Sequence, residues 1–121
     1  MSPEAQRIAI AEACGWKSPK HPEVIEAIKD WTHSKDRGIW WMRPNTKEFA
    51  WLSDVPDYLN DLNAMHEAEK VIAENDELWS KYERELGHTM KAKYPRDWRP
   101  LWHATAAQRA ESFLKTLGLW K

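Results

Sequence analysis

The residues from Asp57 to Asn75, DYLNDLNAMHEAEKVIAEN, constrain the fold more than any other stretch, because their apolar positions recur at the spacing of one helix face. At about 100° per residue, Leu62, Ala64, Met65, Ala68, Val71 and Ile72 fall within roughly half the circumference, while Asn63, His66, Glu67, Lys70 and Glu74 take the other arc. The pattern predicts a helix with one buried face. Asn60 is the expected N-cap, with Asp61 in the first turn, where the helix dipole favours a negative charge. The pairs Glu67 with Lys70 and Lys70 with Glu74 read as a solvated surface.

The elements on either side follow from the same rules. Asn75 supplies a second cap, Asp76 and Glu77 a first turn, and Leu78, Trp79, Tyr82, Leu86 and Met90 a second apolar stripe that Pro95 ends. One continuous helix of ~33 residues would reach ~50 Å, too long for a compact domain of this size, so two helices are expected. Towards the start, Ser2 and Pro3 open a helix that Gly15 closes, and Val24, Ile25, Ile28 and Trp31 repeat at helical spacing from Pro22 to about Trp31. The period then changes. Ile39 to Arg43 and Lys47 to Leu52, with Pro44 to Thr46 as the turn, read as a β-hairpin carrying Phe49 and Trp51 on one side. Trp98 to His103 is expected to add a strand at the sheet edge, since Pro100 cannot donate to a ladder. The last helix is punctuated by a capping box, Thr105 with Gln108, and by a Schellman ending at Gly118 and Leu119, with Ala106, Ala107, Ala110, Phe113, Leu114 and Leu117 as its apolar face. The expected fold is a single α+β domain over residues 1–121, rich in helix, with a three-stranded antiparallel sheet.

Three stretches are familiar in combination: AIAEACGW from Ala9 to Trp16, PDYLNDLNAMHEAEKV from Pro56 to Val71, and HATAAQRAESFLKTLGLW from His103 to Trp120. With WWMRP at Trp40 to Pro44, the chain resembles the small bacteriophage and prophage proteins of the phage ABA sandwich domain family. The matching stretches cover a little under half of the sequence, at its start, middle and end. The resemblance implies helices on both faces of a small sheet and a phage origin. Lys17 to Ser34 departs from the family pattern as an added loop and helix, and Lys91 to Trp102 is variable ground. Function in that family is largely unassigned, so the resemblance brings no catalytic residues.

Composition narrows the function classes. A single cysteine, Cys14, excludes an intramolecular disulfide and a multi-cysteine metal site, and suits a reducing compartment. The first residues mix Glu4, Arg7 and Glu12 into a short apolar face, so neither a signal peptide nor a membrane span is expected. For a phage protein the matching location is the cytoplasm of the bacterial host. A formal charge of −1 removes the simplest argument for a dedicated nucleic-acid binder. Tryptophan is the unusual component: nine in 121 residues, so several are expected to stand partly exposed, as at interfaces.

The candidate site is a basic and aromatic interleaving. Arg37, Trp40, Trp41, Arg43 and Lys47 surround the hairpin, and Lys91, Lys93, Tyr94, Arg96, Trp98, Arg99 and Trp102 follow the second long helix. Cations beside aromatic planes can hold an anionic planar ligand through phosphate attraction and stacking, and exposed Trp with Arg equally serves a protein interface. The plainer reading turns Trp41, Trp98 and Trp102 into the core and leaves the cations as solvated flanks. Other chemistry is poorly supported. His66 and Lys70 occupy the positions where an HExxH motif would need two histidines, so no metal is assigned. Cys14 ends a helix, where the dipole disfavours a thiolate, and the carboxylates Glu67, Glu69, Glu74, Asp76, Glu83 and Glu85 are expected on hydrated surfaces. With only four glycines there is no phosphate-cradling loop and no cofactor is expected. The sequence therefore favours a non-enzymatic phage protein that binds a host protein, as a counter-defence inhibitor would. The alternatives are a sponge for a nucleotide-type ligand and an accessory protein that self-associates into a homo-oligomer.

Overall fold

The computed structural model describes residues 1–29, 39–93 and 104–121, which divide into two compact units. One unit comprises Met1–Ile10 with Asp57–Lys121, and the other Ala11–Pro56. The helix α1, Pro3–Ala13, contributes to both. Ser2 caps it, its Oγ accepting from the Ala5 N–H at 3.1 Å, and Gly15 follows its end at φ 99°, a conformation that costs glycine little.

The first unit is helical. It contains α3, Leu62–Ala73, α4, Asp76–Lys93, and α5, Ala106–Thr116. The break between α3 and α4 is the one expected at Asn75, whose Oδ1 accepts from the Leu78 N–H at 3.1 Å. In α4, Tyr82, Leu86 and Met90 are buried, while Leu78 and Trp79 are half-buried. α5 packs on α4 and α3 through Ala110, Phe113 and Leu114. Its ends match the expected punctuation. Thr105 Oγ1 accepts from the Gln108 N–H at 3.2 Å, and Gln108 Oε1 accepts from the Thr105 N–H at 2.9 Å. At the other end Gly118 stands at φ 73° while Leu119 donates to the Leu114 carbonyl at 2.8 Å, closing a Schellman turn.

Two details of α3 differ from expectation. The cap is Asp61, whose Oδ1 accepts from the N–H groups of Asn63 at 3.0 Å and Ala64 at 3.3 Å. Asn60 instead donates from its side chain to Asp57. The buried stripe is also rotated away from the apolar arc. It consists of Met65, Ala68, Glu69 and Ile72, whereas Leu62 and Val71 are 41% and 47% exposed. Glu69 is the cause. Its carboxylate turns inward to meet Arg109 of α5.

The second unit holds the start of the sheet. α2, Pro22–Ile28, is capped by His21, whose Nδ1 accepts from the Glu23 N–H at 3.1 Å. The helix buries Val24 and Ile28 and leaves Ile25 exposed; Trp31 lies outside the described residues. The hairpin strands β1, Trp41–Met42, and β2, Phe49–Ala50, are antiparallel, with Trp41 opposite Ala50 and Met42 opposite Phe49. Pro44 followed by Asn45 at φ 57° suits a type II turn, which needs a positive φ at its third residue. Lys17 exchanges both backbone hydrogen bonds with Met42 on the outer edge of β1, where the sequence reads as a loop. Leu52–Asp54 then forms a single 3-10 turn. The described residues thus give a helix-rich α+β chain with a two-stranded antiparallel sheet. The strand expected at Trp98–His103 lies outside the described residues.

Candidate functional site

The hairpin register decides which aromatic residues meet. If Met42 faces Phe49, the same alternation puts Trp40 opposite Trp51, so Trp40, Met42, Phe49 and Trp51 share one face and Trp41 shares the other with Ala50. The rings follow this rule. Trp40 lies 4.6 Å from Trp51 between centroids, tilted at 47°, and 6.3 Å from Phe49 in an edge-on arrangement. Met42 continues the face beneath α2, where it clusters with Val24 and Ile28, and Phe49 packs against the same cluster. The face therefore runs from a closed apolar core to an open aromatic edge.

Trp51 forms that edge and is 51% exposed. Its backbone is clamped to the 3-10 turn: the Trp51 N–H donates to Asp54 Oδ2 at 3.0 Å, and Asp54 donates back to the Trp51 carbonyl at 2.9 Å. With its backbone fixed and its ring against that of Trp40, the side chain has less conformational freedom to lose when something covers it.

The cations of the expected site are differently placed. Arg43 lies with its guanidinium 5.5 Å from the centroid of the Trp16 ring and 4.0 Å from Asp54. It is engaged within the unit. Lys47 is exposed beside the hairpin. Lys17 pairs with Glu23, and its ammonium holds that carboxyl below the ordinary carboxylate value.

Of the residues singled out in the sequence, Trp40, Arg43 and Lys47 belong to the unit that holds the hairpin, but the alternation turns Arg43 to the side of Trp41, away from Trp40. Trp41 does not belong to a surface: it is 4% exposed and serves as core, because the register turns it to the covered side of the ribbon. Lys91 and Lys93 stand on the last turn of α4 in the other unit. Arg37, Tyr94, Arg96, Trp98, Arg99 and Trp102 lie outside the described residues. Trp51 was not in the sequence set; its place beside Trp40 depends on a register centred between Asn45 and Thr46, which the turn residues alone do not fix.

The other cluster of charged and polar groups is internal to the helical unit. Arg109 Nη1 lies 3.3 Å from both carboxylate oxygens of Glu69, and its Nε donates to the Ala104 carbonyl at 3.2 Å. His66 Nδ1 approaches Glu69 Oε1 at 3.2 Å from the exposed side. The Tyr82 hydroxyl is buried beside this pair with no hydrogen-bond partner among the described residues. Burial pushes its pKa well up, the Glu69 charge pushes the same way, and the Arg109 charge opposes them. Glu69 is thus buried rather than on the hydrated surface expected for it. The Arg109–Glu69 pair is buried and joins α5 to α3.

Among the described residues there is no group of three or more His, Cys, Asp or Glu side chains able to hold a metal ion, and no helix long and apolar enough to cross a membrane. No protein-family model, curated protein or solved structure matches the chain.

Proposed function

We propose that this protein is a non-enzymatic binding protein that docks a partner protein on the Trp40–Trp51 edge of its hairpin. The observation that carries the reading is Trp51 itself, half exposed, packed at a tilt against Trp40 and clamped through its backbone by Asp54. Tryptophan in such a setting is the residue type most often dominant in protein interfaces. The resemblance of the three sequence stretches to the phage ABA sandwich family supports a phage setting. There the partner is a host protein, the compartment is the host cytoplasm, and the role is that of a counter-defence inhibitor.

The nucleotide-sponge reading loses support at Arg43. A phosphate ligand would have to draw that guanidinium away from both Trp16 and Asp54.

Native mass spectrometry of the protein purified gently from a bacterium of the host type separates the readings. A host protein in stoichiometric complex is the expected result. A co-purifying anionic small molecule would overturn it in favour of the sponge, and an empty homo-oligomer would overturn it in favour of self-association.

A further inference from the structure

The helical unit has an open cleft of about 770 Å3. α5 forms one wall with Gln108, Glu111 and Lys115, α4 contributes His88 and Thr89, and Trp120 stands at one end. A cavity of this size lies within the range that small organic ligands occupy.

One corner of the cleft is organised around a cation. Lys115 Nζ lies 3.4 Å from Glu111 Oε2 and 5.6 Å from the centroid of the Trp120 ring. The same carboxylate oxygen lies 3.2 Å from Thr89 Oγ1 of α4, whose single proton is shared between it and the Glu85 carbonyl at 3.1 Å. A carboxylate and an indole face arranged about one ammonium are the two attractions that organic-cation sites combine. The present occupant is weakly held. Lys115 and Glu111 are partly exposed neighbours one helical turn apart, and pairs of that kind are of small net value because water and side-chain entropy compete with them.

We propose that this corner is a binding site for an organic cation, a guanidinium or an alkylammonium, held between Glu111 and the Trp120 face, with Lys115 as the intramolecular occupant that the ligand displaces. A metal ion does not fit the same description, since the corner offers a single carboxylate and an aromatic face. The cation can be carried by a free small molecule or by the side chain of a peptide segment; the chemistry at Glu111 and Trp120 is the same.

The test is a titration with agmatine and, separately, with the capped tripeptide acetyl-Gly-Arg-Gly-amide, followed by the Trp120 indole N–H resonance in 15N-labelled protein. The wild type should bind agmatine weakly and saturably. Lys115→Met should bind it about two- to fivefold more tightly, because the competing ammonium is gone. Adding Glu111→Gln to Lys115→Met should abolish the binding. Far-UV circular dichroism verifies that each variant keeps its helix content, and Trp120→Leu, which leaves the Glu111 carboxylate in place, should also weaken binding, read there from the Glu111 backbone amide. Tighter binding of the tripeptide than of agmatine identifies a peptide side chain as the source, and equal binding a free cation; both support the site. No gain on removing Lys115, or a gain that survives Glu111→Gln, would overturn it.

Discussion

Arg109 and Glu69 place opposite charges between two helices at 7% and 6% exposure, and each is satisfied by the other. Removing one partner strands the remaining charge in the interior, which costs far more than the pair itself contributes. Arg109→Leu should therefore destabilise the protein by ~3 kcal/mol or more in urea unfolding, while Arg109→Leu combined with Glu69→Met should recover much of that loss. Equal losses in the single and double variants would show that packing, and not the stranded carboxylate, dominates. Tyr82 makes a separate prediction at the same place. Its folded-state pKa is raised, so above the ordinary tyrosine value of 10.0 the unfolded chain releases a proton that the folded one retains. Stability should therefore fall as pH rises beyond that value. Tyr82→Phe should reduce this alkaline loss and should change stability by no more than ~1 kcal/mol at pH 7, because the buried hydroxyl lies beside Arg109 and Glu69 without a well-formed hydrogen bond to either. A strong destabilisation at pH 7 would mean that the hydroxyl is satisfied. None of the three residues was legible as buried polar structure in the sequence. A carboxylate one position from an apolar stripe looks like its solvated edge, and only the arginine on a distant helix draws it inward.

At the scale of elements, local chemistry predicted most of what formed. Caps and stops act over three or four residues, and the serine before α1, the asparagine before α4, the capping box of α5 and its glycine ending all appear where their residue types put them. The misplaced cap of α3 is instructive, because Asn60 and Asp61 are both good capping residues and adjacent. The chain settles it by using Asn60 to bond Asp57, which leaves Asp61 to reach the amides of Asn63 and Ala64. Asp61→Ala should then cost ~1 kcal/mol and Asn60→Ala clearly less; the reverse order in paired denaturation curves would restore Asn60 as the cap. Gly118→Ala should cost ~1 kcal/mol through its positive φ alone, since a Cβ there meets nothing within 4 Å. A variant with wild-type stability would show that the Schellman turn relaxes without loss. The hairpin was legible as a hairpin, with Phe49 and Trp51 on one side of the second strand, but a run such as WWM offers apolar side chains to both faces, so the sequence alone left Trp41 open between surface and core. Strand register, which comes from pairing, decides that Trp41 is core and Trp51 is surface.

For the whole molecule, size and composition indicated a small α+β fold with a surplus of tryptophan, and the described residues show where part of that surplus goes. Trp16 and Trp41 are buried, Trp40, Trp79 and Trp120 are half-buried, and Trp51 is exposed. Function is less legible than fold because a binding surface needs only exposure and rigidity, which arise from three-dimensional pairing and leave no spacing motif. The proposed partner surface rests on the half of the expected basic-aromatic set that lies around the hairpin, with Trp51 added and Trp41 removed. The most direct test compares wild type with Trp51→Ser. The side chain is half exposed, so the variant should fold with an unchanged circular dichroism spectrum, while calorimetric titration with the host protein recovered alongside the wild type should show affinity reduced by about tenfold or more, as expected of an interface hot spot. Unchanged affinity for that protein in the folded Trp51→Ser variant would contradict the account.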